Sequence, residues 1–309
     1  PSFAGQEKPS KVVASPSHGQ ITTSKIMKSA IKGLMVAAGV SVALFLNAPP
    51  ATAEPSSQPL SSEQIVQIVG SPDRTAADRT NDVRRKPEQM LAFVDLSAGG
   101  GYTTELLART IGPSGKVYGQ SRPRDPNRAP PTPVTPEGNS NPATTPPAAS
   151  AAPAGAPRPS TVALAEREST LRSNGVQAAP IVALSRPFED PIPSELAGNV
   201  DLVTLMFNYH DLGHLGVDRA AMNKAVFGAL KSGGFYVIAD HSGRPGTGIS
   251  ESGTLHRIEE AFLRKEVEAA GFKLIDEGTF LRNPNDPRDK NTPDPPQPKD
   301  EFVLKFVKP

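Results

Sequence analysis

Phe93-Val94-Asp95-Leu96-Ser97-Ala98-Gly99-Gly100-Gly101-Tyr102-Thr103-Thr104-Glu105 is the stretch on which the fold turns: an apolar run ends in an acid, passes clustered glycines and enters good helix formers. Residues 91 to 96 read as a buried parallel strand, and 103 to 109 as a helix with Leu106 and Leu107 on its inner face. Glycine between them lets the backbone turn sharply and lets a ligand approach without a Cβ in the way. On its own a glycine-rich turn is a weak signal, and the order of the downstream elements gives it weight.

Gly115 to Gln120 reads as a second short strand, entered through the Gly112-Pro113-Ser114-Gly115 turn. From residue 121 to 160 Pro, Ala, Ser and Thr dominate and large apolar residues almost vanish, which predicts a disordered insertion after that strand. The pattern resumes with a helix over 161 to 173 and a third strand over 181 to 184, followed by the proline-bounded loop Ser185 to Pro191. Val200 to Phe207 is the clearest buried strand, and its carboxyl end delivers Asn208-Tyr209-His210-Asp211. Asp218 is a candidate N-cap for a helix through Leu230, and Lys231-Ser232-Gly233-Gly234 leads into a fifth strand, Phe235 to Ala239, that ends in Asp240-His241. Ser250 or Ser252 is expected to cap a further helix running to Ala270, and 272 to 280 and 301 to 307 read as two closing strands that pair antiparallel.

The spacing from Asp95 to Gly101 resembles the first motif of class I S-adenosylmethionine-dependent methyltransferases, an acid followed by three alternating glycines, with Ser97 at the first glycine position and Gly99 and Gly101 at the others. Lys231 to Gly234 resembles the turn these enzymes place before their fifth strand, with Ser232 where proline is usual. The resemblance covers about residues 87 to 309, apart from the insertion. It implies an α/β fold: a Rossmann-like, doubly wound, seven-stranded, mostly parallel sheet closed by a C-terminal antiparallel hairpin. It also implies S-adenosylmethionine as cofactor, held by Asp95, Ser97, Gly99 and Gly101, with Gln120 at the place of the ribose-binding acid, Phe188 against the adenine, Glu189 or Asp190 at its amine, and Asn208 beside it. Gln120 offers a neutral acceptor, which binds a hydroxyl more weakly than a carboxylate does.

His210 is the expected general base, with Asp211 as its orienting partner and Tyr209 beside it; His241 is the competing base. His256, near Glu259 and Glu260 on a polar helical face, is expected to be solvated. His210, Asp211, His214, Asp240 and His241 are also residue types that bind Zn, Mn or Fe, but such residues equally serve as bases and strand caps, and no metal ligand is assigned.

Met27 to Lys32 is basic, residues 33 to 46 are apolar and Ala51-Thr52-Ala53 is a small-x-small site, which together read as a secretory signal over 27 to 53 behind an upstream extension. The apolar run is short for a membrane span, so export, to the periplasm in a bacterium, is expected, with an uncleaved anchor as the alternative. With this leader the chain resembles exported bacterial members of the methyltransferase family. Cleavage after Ala53 removes five of the 33 basic and one of the 32 acidic side chains, leaving a net charge of −3, which argues against a nucleic-acid partner. The absence of cysteine excludes disulfides, thiolate metal sites and cysteine nucleophiles. Residues 54 to 86 form a helical segment in which Arg84-Arg85-Lys86, with Asp78, Arg79 and Asp82 nearby, is expected to make ion pairs over the cofactor pocket. Two functions are consistent with these readings: methyl transfer to a small-molecule or cell-envelope acceptor, or non-catalytic binding of an adenosyl or other small ligand on the same fold.

Overall fold

The computed structural model describes residues 60–94, 101–123, 159–293 and 295–309. Asp95, Ser97, Gly99, the proposed signal and most of the 121–160 insertion lie outside the described residues.

Three helices open the described chain. Helix α1 (Ser62–Gly70) starts from a reciprocal cap in which Ser61 Oγ accepts from Gln64 N at 3.3 Å and Ser61 N donates to Gln64 Oε1 at 2.9 Å. Helix α2 (Ala76–Arg85) is capped by Thr75 and ends at Lys86, whose φ of 44° turns the chain directly into α3 (Pro87–Val94). The expected strand over 91 to 96 is therefore corrected: its described part is the end of a helix. Proline at the first helical position and Glu88, Gln89 and Met90 behind it favour that outcome, and Met90, Leu91 and Val94 share one buried face.

Helix α4 (Gly101–Ile111) buries Leu106, Leu107 and Ala108 and leads to β1 (Val117–Ser121). β1 pairs in parallel with β2 (Ile181–Ser185) across α5 (Ser160–Ser173). The second sheet has the order β3-β4-β6-β5, with β3 (Val200–Met206) parallel to β4 (Leu230–His241) and β6 (Glu301–Val307) antiparallel between β4 and β5 (Lys273–Gly278). The described residues thus carry six strands in two sheets rather than one seven-stranded sheet. The parallel strands and the closing antiparallel hairpin agree with the expectation from sequence.

The four-stranded sheet is buried on both faces, as its apolar runs require. Tyr236, Ile238, Phe302, Leu304 and Phe306 pack on one side with Met222 and Val226 of α7 (Arg219–Ala229) and Leu263 and Val267 of α8 (Glu260–Ala269). Val237, Ala239 and Val303 pack on the other with Met90 and Val94. Burying each large apolar side chain here contributes about 1.5–3 kcal/mol. Helix α8 begins at Glu260, later than expected, because Ser252 spends its hydroxyl on tertiary partners instead of capping a helix.

Candidate functional site

The site is built where β3 and β4 end. Phe207 leaves β3 with φ of 62°, a strained conformation for an aromatic residue, and is held there by its N–H bond to Ala239 O at 2.7 Å. This kink sends Asn208 to His210 across the end of the sheet and into the short helix α6 (Asp211–His214). Gly213 is required at the next step, since a Cβ there would come within 2.7 Å of Ile249 and 2.9 Å of Ser252 Oγ.

Asp240, near the end of β4, organises what arrives. Its carboxylate accepts from His210 N at 2.7 Å and His241 N at 2.8 Å, and lies 2.6 Å from His210 Nδ1. Both His210 and Asp240 are fully buried. With Nδ1–H directed to Asp240, the other ring nitrogen of His210 points to Asp211 Oδ1, 3.1 Å away. The same oxygen is 3.1 Å from His256 Nδ1 and 3.9 Å from His214 Nδ1. Burial raises the Asp211 pKa, but hydrogen bonds and charge from His210, and then from His256, outweigh it and hold the carboxyl well below the usual range.

His256 is therefore corrected from a solvated helix residue to a member of the cluster. It sits before α8 with φ of 49°. Its neighbour Arg257 is fully buried, donates to Ser242 O at 2.9 Å and pairs with Asp286 at 2.9 Å, which fixes the loop. His214 Nδ1 lies 2.9 Å from Ser252 Oγ, and that hydroxyl also donates to His210 O at 2.5 Å. Four of the five histidines thus gather here: three of their rings approach Asp211, while that of His241 stacks behind His210 at 5.3 Å between centroids. Burial, and secondarily the Lys299 charge, pushes His241 well below the ordinary histidine value. Its Nδ1 lies 3.0 Å from Glu301 Oε1 without the alignment of a hydrogen bond.

Tyr209 takes another path. Its side chain enters the core, where the hydroxyl accepts from Asn223 at 2.8 Å and donates to Glu266 at 3.0 Å, and burial pushes its pKa up. The structure separates it from the histidines, so the expected Tyr209–His210–Asp211 cluster is corrected to His210, Asp211 and His256.

A cavity of about 890 Å³ opens beside Asp211, between β1 and β3. Gln120 of β1, Phe188 of the loop after β2, Asn208 and Asp211 all line it, so four of the residues singled out in the sequence meet there. Gln120 is oriented by its Nε2 donating to Arg186 O at 2.7 Å. Glu189 and Asp190 do not reach the cavity: Glu189 accepts from Asp218 N at 3.4 Å, and Asp190 pairs with Arg186. Gly101 opens α4, whose first turn faces the space through Tyr102 and Thr103. Thr204 Oγ1 is buried in the wall with no hydrogen-bond partner among the described residues.

Arg85 stands apart from the ion-pairing trio to which its sequence neighbours assign it. Arg84 does pair, with Glu301 at 2.6 Å, but Arg85 lines the cavity over the Phe207 ring at 3.9 Å and has no ion pair among the described residues. Burial and the adjacent Arg84 charge lower its pKa to about 10. No spacing in the sequence distinguishes it from Arg84.

No family model and no curated relative matches the chain. Solved structures similar to it include a SAM-dependent methyltransferase from Aquifex aeolicus, at 12% identity over 81% of this chain and 100% of that one, with a TM-score of 0.45. Another is the [4+2]-cyclase SpnF, at 13% identity over 80% of this chain and 93% of that one, with a TM-score of 0.44. Likenesses of this strength carry no argument about the reaction, which is read from this chain's own residues.

Proposed function

We propose that the chain binds S-adenosylmethionine in the cavity between β1 and β3 and transfers its methyl group to a small-molecule or cell-envelope acceptor. The observation that supports this best is the meeting of Gln120, Phe188, Asn208 and Asp211 around one cavity that runs along β1 and β3 and reaches their carboxyl ends, where open α/β sheets place their ligands. Phe188 offers a ring for the adenine, and Gln120 an amide for a ribose hydroxyl. The first turn of α4 and the guanidinium of Arg85 suit the carboxylate of the amino-acid end. The family resemblance assigns Asp95, Ser97, Gly99 and Gly101 to the same ligand, and of these Gly101 lies among the described residues.

Methyl transfer from a sulfonium is an in-line displacement with a neutral leaving group, so alignment of acceptor and donor supplies most of the rate. An acceptor hydroxyl or amine must also lose a proton. Asp211 is the polar group at the cavity wall with an imidazole directly behind it, so the proton passes across Asp211 to the neutral form of His210, whose Nδ1–H Asp240 holds. The imidazolium so formed is the state whose hydrogen bond and charge keep the Asp211 carboxylate ionised. His210, fully buried, serves as the proton store, and Asp240 takes the orienting role expected of Asp211. We further propose that the chain is exported by the signal over 27 to 53. Among the described residues no helix is long and apolar enough to cross a membrane.

Labelled S-adenosylmethionine should be retained saturably by the protein, and Phe188→Ala should weaken retention by about tenfold, the loss of one aromatic stack. Retention unchanged by Phe188→Ala and Gln120→Ala together would place the ligand elsewhere.

A further inference from the structure

We infer that His210, Asp211 and His256 form a binding site for one divalent first-row transition metal ion, supported from behind by Asp240. The inference stands apart from the methyl-transfer reading, since it does not depend on the adenosyl cradle.

Three observations carry it. Donor atoms of the three side chains all lie within 4.8 Å of one another, and Asp211 Oδ1 is 3.1 Å from both His210 Nε2 and His256 Nδ1. Two ligands each about 2.1 Å from a common ion at a right angle are about 3.0 Å apart, so these hydrogen-bonding distances also accommodate a shared ion without rearrangement of Asp211. The second observation is the carboxylate of Asp240 on the far nitrogen of His210 at 2.6 Å. This arrangement orients the ring so that Nε2 faces Asp211, as a carboxylate behind a metal-binding histidine does.

The third is strain. His256 has φ of 49°, and the loop is pinned by the buried Arg257–Asp286 pair and by Ile258 N bonded to His241 O at 3.1 Å. Holding a non-glycine residue in that region is unfavourable, and the effect here is to present an imidazole to Asp211. A structural ion pair needs none of this, because a lysine or arginine from any direction satisfies a carboxylate.

Two imidazoles and one carboxylate select Zn²⁺, Mn²⁺ or Fe²⁺ over the oxygen-seeking Mg²⁺ and Ca²⁺, and three protein ligands leave positions for water or substrate. Asp211 also borders the cavity, so the open positions face the space where an acceptor would lie. An acceptor oxygen bound there would be acidified by the ion, which would take over the role given above to His210.

The test is a titration of the chelator-stripped full chain with Co²⁺, followed by visible absorption, with Zn²⁺ competition and metal counting by mass spectrometry. One ion per chain is expected, with a Co²⁺ spectrum reporting nitrogen and oxygen ligands. His256→Ala, on the less buried side, should weaken binding at least about a hundredfold, and Asp240→Asn about 10–100-fold with stoichiometry retained. His210→Ala should abolish it; should that variant fail to fold by circular dichroism, His256→Ala decides alone. Absence of a Co²⁺ signal at millimolar ion, or binding that His256→Ala leaves unchanged, overturns the site. Because no S-adenosylmethionine is added, neither result depends on the methyl-transfer reading.

Discussion

Two buried polar clusters of this protein use carboxylates in opposite ways. In the N-terminal bracket each carboxylate meets a guanidinium: Arg74 with Asp82 at 2.7 Å, Arg109 with Asp73 at 2.6 Å and Glu105 at 2.8 Å, and Arg167 with Asp78 at 2.9 Å and Glu105 at 2.6 Å. At the ends of β3 and β4 the carboxylates of Asp240 and Asp211 meet imidazoles. Arginine is permanently charged and donates in a fixed fork, so the first cluster clamps helices α2, α4 and α5 together and offers a ligand nothing. Histidine can give up its proton or take an ion, so the second cluster keeps its chemistry available. The difference separates charge used for shape from charge used for reaction, and substitutions in each cluster should fail differently.

The largest loss of stability should come from Asp240→Ala. It strips two backbone N–H groups and a buried imidazole of their acceptor at once, and should cost about 3–5 kcal/mol in denaturant unfolding. Asp240→Asn keeps an acceptor oxygen and should cost much less. Equal losses would mean that Asp240 acts by its charge alone.

Arg167→Met comes next. It leaves Asp78 facing Thr75 alone and removes one of the two arginines from Glu105, and should cost about 2–3 kcal/mol while leaving ligand and metal binding within about twofold of the parent. An equal loss of ligand binding would show that the bracket and the cavity are coupled.

The bracket also predicts an acid limit. Burial raises the Asp78 pKa, but the hydrogen bond from Arg167 and then that from Thr75 outweigh it, so the folded value is lowered. Its stabilisation is complete above the unfolded carboxylate value near about 4 and is lost as pH falls through the lower folded value. Tm should therefore drop steeply below about pH 4, and Asp78→Asn should flatten that slope while lowering Tm at neutral pH. An unchanged slope would assign acid unfolding to other carboxylates.

Asp211→Asn should cost less stability than either Asp240→Ala or Arg167→Met, because the side chain borders the cavity and the amide can replace one hydrogen bond. The loss of its charge between His210 and His256 should still be measurable at neutral pH. Turnover, once an acceptor is known, should fall by about a hundredfold or more with S-adenosylmethionine affinity unchanged. A stability loss as large as that of Asp240→Ala would make Asp211 structural.

Much of the second sheet was legible because its signals are local. Apolar runs marked β3 and β4, Asp218 N-caps α7 as read, and Glu301 to Val307 forms β6. Residues 91 to 94 misled because a short apolar run fits strand and helix alike, and the decision lay upstream in Pro87. Gln120, Asn208 and Asp211 were singled out because strand ends in such sheets face ligands, Phe188 from the family resemblance, and the structure brings all four to one cavity. His256 was missed because only the tertiary anchoring of Arg257 carries it to Asp211, and no periodicity encodes that path. Tyr209 was misplaced because its partners Asn223 and Glu266 lie on helices that the sequence does not orient.

Calorimetric titration of the protein from Glu54 onward with S-adenosylmethionine and S-adenosylhomocysteine tests the central claim most directly. The account predicts saturable one-to-one binding of both, weakened by Phe188→Ala and by a bulky residue at Gly99, and insensitive to Arg167→Met. No heat with either ligand at millimolar concentration would contradict it.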